Sequence, residues 1–106
     1  VKAGNMLFVS GQVPFNPETM EIVEGGVKEQ TAQSLRNVEA ILKEVGLDFS
    51  NVVKSTVFIK DMNEFAQINE VYSEFFKENK PARACVEVAR LPRDARVEIE
   101  VIAVFE

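Results

Sequence analysis

Residues 52–60, VVKSTVFIK, decide the fold, because they are rich in β-branched residues and predict a strand with two distinct sides. One side carries Val53, Ser55, Val57 and Ile59, and the other carries Lys54, Thr56, Phe58 and Lys60. Helical patterns lie before and after this strand. The segment therefore predicts a β-strand placed between two helices.

The two helices are indicated by apolar residues at three- and four-residue steps. The first pattern runs from Val27 to Val45, and Gly46 follows as a C-terminal cap. The second begins after Asp61 and Glu64, which have the spacing of a capping pair, and it stops before Pro81. Its apolar positions are Phe65, Ile68, Tyr72, Phe75 and Phe76. Both helices are expected to be amphipathic.

The outer segments predict four further strands. Residues 6–10 and 20–23 are expected to form a hairpin, and residues 83–91 and 96–105 to form the last two strands. The order β-β-α-β-α-β-β predicts an α+β fold with a single mixed β-sheet. Both helices should pack on one face, because strand-helix-strand crossovers are right-handed.

The last strand suggests that the second face of the sheet is covered by another subunit. Its apolar residues point to both sides, with Ile102 and Val104 opposite Ile99, Val101, Ala103 and Phe105. A strand of this kind is normally buried on both faces. We therefore expect self-association to cover the face that the helices leave open.

The composition fits one domain over residues 1–106, with 46% hydrophobic and 27% charged residues. The net charge of −5 and the scattered basic residues argue against nucleic acid as a partner. No segment is apolar enough to span a membrane, and the single cysteine is typical of a reducing, cytoplasmic setting. Because Val1 is not a methionine, we expect that a leading segment precedes it.

The residue types limit the possible chemistry. There is no histidine and only one thiol, which excludes zinc sites and Ser-His or Cys-His catalysis. Any catalysis would use carboxylate, guanidinium, hydroxyl and backbone groups, and no metal or organic cofactor is predicted.

Residues 81–92, PARACVEVARLP, followed by VEIE at 97–100, strongly resemble the signature of the RidA (YjgF) family of enamine/imine deaminases. Three further segments are similar to its first strand, central strand and second helix: FVSGQ at 8–12, VVKSTVF at 52–58 and NEVY at 69–72. The resemblance covers essentially the whole chain. It implies a chorismate-mutase-like fold of the Bacillus type, a homotrimer with three sites between subunits, and hydrolysis of 2-imino acids such as 2-iminobutanoate and 2-iminopropanoate. The family's N-terminal Gly-Pro-Tyr segment has no match.

Arg83 and Glu98 are the candidate catalytic residues. A planar guanidinium at the start of a strand suits bidentate capture of a carboxylate, although a surface or interface salt bridge would also explain Arg83. Glu98 precedes an apolar stretch, so its carboxylate could be partly desolvated and orient a water, although it could also be an ordinary solvated glutamate like Glu100. The resemblance implies that Arg83 binds the substrate carboxylate and that Glu98 is the functional glutamate.

The resemblance also places Cys85, Ser10, Gly11 and Asn69 at the substrate-binding pocket, with Asn69 near its rim. Backbone groups near Cys85 and Gly11 would assist binding. No covalent role is assigned to Cys85, because no base is available and a strand cysteine is most often a small buried hydrophobe.

Two positions near these residues have other expected roles. Tyr72 is expected to belong to the core rather than to the site. Lys80 stands where many relatives have an aromatic residue, which could change the polarity of the pocket or the substrate preference.

Because the last two strands run antiparallel, we expect Arg83 and Glu98 to start from opposite ends of the sheet, roughly 20 Å apart within one chain. A shared site would then need Arg83 of one subunit beside Glu98, and Ser10, of the next.

The predicted reaction combines these groups. Arg83 would hold the carboxylate of an imino acid while Glu98 orients water onto the imine carbon, releasing a keto acid and ammonia. A non-catalytic keto-acid-binding or regulatory trimer using the same pocket is the alternative. RNA cleavage, attributed to some relatives, is disfavoured because the chain has neither histidine nor a basic groove.

Overall fold

The computed structural model describes residues 1–106 and contains one five-stranded mixed sheet and two long helices. The elements are β1 Lys2–Ala3, β2 Met6–Gln12, α1 Val27–Glu44, β3 Val52–Ile59, α2 Phe65–Phe75, β4 Ala82–Glu87 and β5 Val97–Val104. The strand order is β1-β2-β5-β3-β4, and only β3 and β4 are parallel. The predicted α+β fold with a single mixed sheet is confirmed.

The core lies between the two helices and one face of the sheet. Leu35 and Val38 of α1 are fully buried, as are Ile59 of β3 and Ile99 of β5. Ile68 of α2 packs into the same cluster. Burial of these side chains is the main force that holds helices and sheet together. Neither helix has the length and apolar composition that crossing a bilayer requires.

The opposite face of the sheet is open in the single chain. Phe8 of β2 is 41% exposed, and Ile102 and Val104 of β5 are only half-buried. Glu98 and Glu100 lie on this face as well, because they alternate with buried residues of β5.

The end of α1 follows the sequence prediction. Gly46 has φ +78° and donates its N–H to the Lys43 carbonyl oxygen at 3.1 Å, and the Leu47 N–H reaches the Leu42 carbonyl oxygen at 2.9 Å. These two bonds form a Schellman motif, in which glycine supplies the left-handed conformation.

The capping pair predicted before α2 is only half correct. Asp61 accepts a hydrogen bond from the Asn63 N–H at 2.9 Å, which caps a 3₁₀ turn over residues 62–64. Glu64 does not complete the pair, because its carboxylate binds the Arg96 guanidinium at 2.9 Å. The ion pair with Arg96 explains why Glu64 does not cap the helix as predicted.

The predicted hairpin between residues 6–10 and 20–23 is wrong. β2 pairs instead with β1, across a turn in which Gly4 has φ +62°. Its other edge is taken by β5. Residues 20–23 form no strand, since Met20 adopts a left-handed conformation with φ 59° and a single bridge joins Phe15 to Ile22.

Candidate active site

Arg83 lies near the start of β4, the edge strand next to α2. It pairs with Ser55 of β3, whose side chain is buried under the helices, so Arg83 points to the helix side of the sheet. Its Nη1 donates a hydrogen bond to Asn69 Oδ1 at 2.6 Å. The guanidinium carbon lies 4.8 Å from the centre of the Tyr72 ring and 5.5 Å from that of Phe65. These contacts fix the orientation of the guanidinium.

No carboxylate neutralises Arg83 within the chain. The ion pairs are Lys28 with Glu70, Lys43 with Glu39, Arg90 with Asp94 and Arg96 with Glu64. The hydrogen-bond partner of Arg83 is a neutral amide, and most of its N–H donors stay free. This arrangement favours the carboxylate-capture interpretation over an intrachain salt bridge.

The guanidinium opens into a cleft of ≈ 310 Å³ between α2 and the start of β4. Its lining residues are Asn69, Tyr72, Ser73, Phe76, Lys80, Pro81 and Arg83. Burial raises the pKa of Tyr72. The Tyr72 hydroxyl faces that of Ser55, yet neither hydroxyl has a hydrogen-bond partner of normal geometry.

Cys85 lies two residues beyond Arg83 on the same side of β4 and packs against the main core. Burial raises the pKa of the thiol, an effect that the charge of Arg83 partly offsets. A thiol with a raised pKa supplies little thiolate, the nucleophilic form. This packing is typical of a cysteine that acts as a small buried hydrophobe.

Glu98 lies on the open face and packs against Gly11. A Cβ atom at position 11 would lie 2.7 Å from Glu98 Cδ and 3.0 Å from its Cγ, so only glycine allows this approach. The β2–β5 pairing is irregular between Val9 and Gln12, which places Ser10 and Gly11 in a local break of the ladder. Burial raises the pKa of Glu98, and the charge of Glu100 raises it further. The predicted partial desolvation of Glu98 is consistent with this geometry.

The predicted site residues thus form two groups on opposite faces of the sheet. We call Arg83, Asn69 and Cys85 the guanidinium half-site, and Ser10, Gly11 and Glu98 the carboxylate half-site.

The pairing register gives the separation of the two half-sites. Arg83 pairs with Ser55 and Glu98 with Phe58, three residues further along the same strand. The strand spacings then put the two Cα atoms about 14 Å apart, rather than roughly 20 Å. Only the expected distance was wrong, because Arg83 and Glu98 do lie near the starts of two antiparallel strands, β4 and β5, which begin near opposite ends of β3. The sheet itself separates the two side chains.

Sequence reasoning missed the contribution of Tyr72 to the site. Tyr72 is a core residue, 6% exposed, and its ring also supports the guanidinium. The signal was present in α2, where Phe65, Asn69 and Tyr72 follow one another at steps of four and three residues and share one helix face. No group of three or more His, Cys, Asp or Glu side chains is arranged to hold a metal ion.

Comparison with known proteins gives matches over the whole fold. The family described as Endoribonuclease L-PSP matches residues 1–105. A RutC family protein of Pyrococcus horikoshii is 56% identical over 106 residues, covering 100% of this chain and 84% of that protein. The 2-iminobutanoate/2-iminopropanoate deaminase of Escherichia coli is 53% identical over 107 residues, covering 98% and 83%. The crystal structure of E. coli TdcF with bound serine has a TM-score of 0.95 and 50% identity, covering 100% and 85%.

Proposed function

The chain belongs to the Endoribonuclease L-PSP family, the family of YjgF and RidA, and from this premise we propose that it is a hydrolytic deaminase. Its substrates are reactive 2-imino and enamino acids such as 2-iminobutanoate and 2-iminopropanoate, and its products are 2-keto acids and ammonia. The observation that carries this proposal is the oriented Arg83 guanidinium, which no carboxylate of the chain neutralises. The naming of the E. coli relative as a deaminase supports the same reaction.

The reaction needs a bound carboxylate and an oriented water. Arg83 binds the substrate carboxylate, with backbone groups near Cys85 and Gly11 assisting. Glu98, in its ionised form, accepts a hydrogen bond from water and directs the water oxygen onto the imine carbon. Addition of water gives a carbinolamine. Transfer of a proton to nitrogen then releases ammonia and leaves the keto acid.

This mechanism requires more than one chain, because the two half-sites lie on opposite faces of one sheet. We therefore place each active site between subunits of a homotrimer, with Arg83 from one subunit and Glu98 and Ser10 from the next. The half-exposed Phe8, Ile102 and Val104 supply an apolar surface for such contacts. A cytoplasmic location and independence of metal or organic cofactor belong to the same proposal.

Glu98→Gln tests the catalytic role directly. With 2-iminobutanoate or 2-iminopropanoate generated in situ by an amino-acid oxidase, kcat/KM for keto-acid release should fall about 100-fold or more, because a neutral amide activates the water far less than a carboxylate does. Glu100→Gln is the matched control, since Glu100 lies on the same face of the same strand. It should keep most of the activity at pH 8. Equal rates for the parent chain and Glu98→Gln would refute the mechanism.

The second candidate is a non-catalytic trimer that binds keto acids in the same pocket. The serine-bound structure of TdcF supports it, since a related protein holds a small amino acid. This function requires that 2-oxobutanoate binds while neither the parent chain nor Glu98→Gln accelerates imine hydrolysis. RNA cleavage, which the family description names, draws no support from the half-sites, because the chain has no histidine and a net charge of −5.

A further inference from the structure

The cleft beside Arg83 has an unusual charge for this protein. Two of its lining residues, Lys80 and Arg83, are cationic, and none is acidic. The chain as a whole carries a net charge of −5. The other sizeable clefts that contain a lysine or arginine also contain at least one glutamate or aspartate. The cleft is therefore suited to anions.

Lys80 has no ion-pair partner. The carboxylates that form ion pairs do so with other cations, and none lies within ion-pair distance of the Lys80 amine. Lys80 and Arg83 are thus two unneutralised charges that line one cleft. Arg83 needs only one carboxylate, so the charge of Lys80 is left for another group.

The backbone at Lys80 is held on both sides. The preceding residue, Asn79, donates through Nδ2 to the carbonyl oxygens of Phe49 and Val52 at 2.8 and 2.9 Å. The following residue, Pro81, restricts Lys80 to an extended conformation. The Lys80 side chain is therefore attached to a fixed point of the backbone, three residues before Arg83. An extended segment of this length puts the two Cα atoms about 10 Å apart.

We propose that Lys80 binds a second acidic group of the substrate, so that the protein prefers imines derived from amino acids with a carboxylate side chain. This inference rests on the proposed function and specifies its substrate class. Arg83 takes the carboxylate next to the imine, and the Lys80 amine takes the distal one. The chemistry is unchanged: an imine of glutamate adds one water across its C=N bond and gives 2-oxoglutarate and one ammonia.

The test compares a diacid with a monoacid. Calorimetric titration of the full chain with 2-oxoglutarate and with 2-oxobutanoate measures affinity without turnover. Lys80→Gln should weaken the binding of 2-oxoglutarate about tenfold, which corresponds to the loss of one charge-assisted hydrogen bond in an open cleft. The affinity for 2-oxobutanoate should change less than about twofold. Lys77→Gln is the matched control. Lys77 is also exposed, but it lines a different cleft with Glu74 and Glu78, and its loss should change neither affinity.

Turnover gives an independent measurement. With imines generated from glutamate and from alanine by amino-acid oxidases, Lys80→Gln should lower the ratio of the two kcat/KM values about tenfold through KM. Equal effects of Lys80→Gln on both acids, no effect on either, or no binding of 2-oxoglutarate would overturn the proposal. Failure of the deaminase function is distinguishable, because the parent chain would then hydrolyse neither imine while the two keto acids still differed in affinity.

Discussion

At the scale of single residues, the closest approach in the proposed site is that of the Glu98 side chain to Gly11. We predict that Gly11→Ala lowers kcat/KM for imine hydrolysis about 100-fold, because the new methyl group must displace the Glu98 carboxylate from its position. The free energy of unfolding should change by less than about 0.5 kcal/mol, since the displaced group is the end of a flexible side chain on the surface. Steady-state kinetics and urea denaturation measure the two quantities.

The control for this substitution is Gly26→Ala. There a Cβ atom would meet only Glu29 Oε1, at an ordinary 3.5 Å, so activity should be retained. Loss of activity in both variants would show that the effect of Gly11→Ala does not depend on Glu98.

How far individual residues could be predicted depended on the kind of signal. Arg83 was predicted from its chemistry and from the resemblance, and the structure adds the neutral partner Asn69 that keeps it oriented. Tyr72 was assigned to the core alone, because periodicity reports only that a side chain is buried. A ring can be buried on one side and support a guanidinium on the other. No one-dimensional pattern distinguishes these two faces.

At the scale of a single strand, the alternation of side chains along β5 affects the pKa of Glu98. Glu100 lies on the same face, and its charge raises the pKa of Glu98 in addition to the effect of burial. A raised pKa means that Glu98 becomes ionised, and active, only at higher pH than an ordinary glutamate. We predict that Glu100→Gln lowers this pKa and moves the acidic limb of the kcat/KM profile to lower pH.

The pH profile of Glu21→Gln provides the comparison, because Glu21 is an exposed carboxylate outside the sheet. Its acidic limb should coincide with that of the parent chain. A limb that fails to move in Glu100→Gln would mean that Glu98 does not control it.

Helices and strands were predicted correctly where the periodic pattern was long. They were predicted wrongly where strand pairing determined the structure. α1, α2 and β3 have clear patterns over eight or more residues, and all three were correct in type and position. The hairpin was wrong because β1 has only two residues, too few to show any period. Residues 20–23 looked suitable for a strand, but which segment pairs with β2 depends on contacts distant in sequence.

For the whole molecule, the composite site predicts complementation between inactive variants. Arg83→Gln and Glu98→Gln should each be inactive alone. If trimers form by random mixing after joint refolding in equal amounts, each interface has one chance in two of receiving an intact Arg83 and one in two of receiving an intact Glu98. Activity should therefore return to about a quarter of the parent value per site.

The refolded single variants are the controls for this experiment, and sedimentation measures whether trimers have formed. A mixture as inactive as its components, although trimeric by sedimentation, would show that the two groups do not meet across an interface.

Placement of the half-sites on opposite faces gives each chain a direction, with a front that offers the guanidinium and a back that offers the carboxylate. An assembly in which the front of each chain meets only the back of the next runs head to tail, whereas a contact of front with front leaves both half-sites incomplete. A closed ring then completes as many sites as it has subunits, whereas an open row always leaves one front and one back unused. Ring closure, rather than association alone, would thus set the specific activity of the protein on dilution.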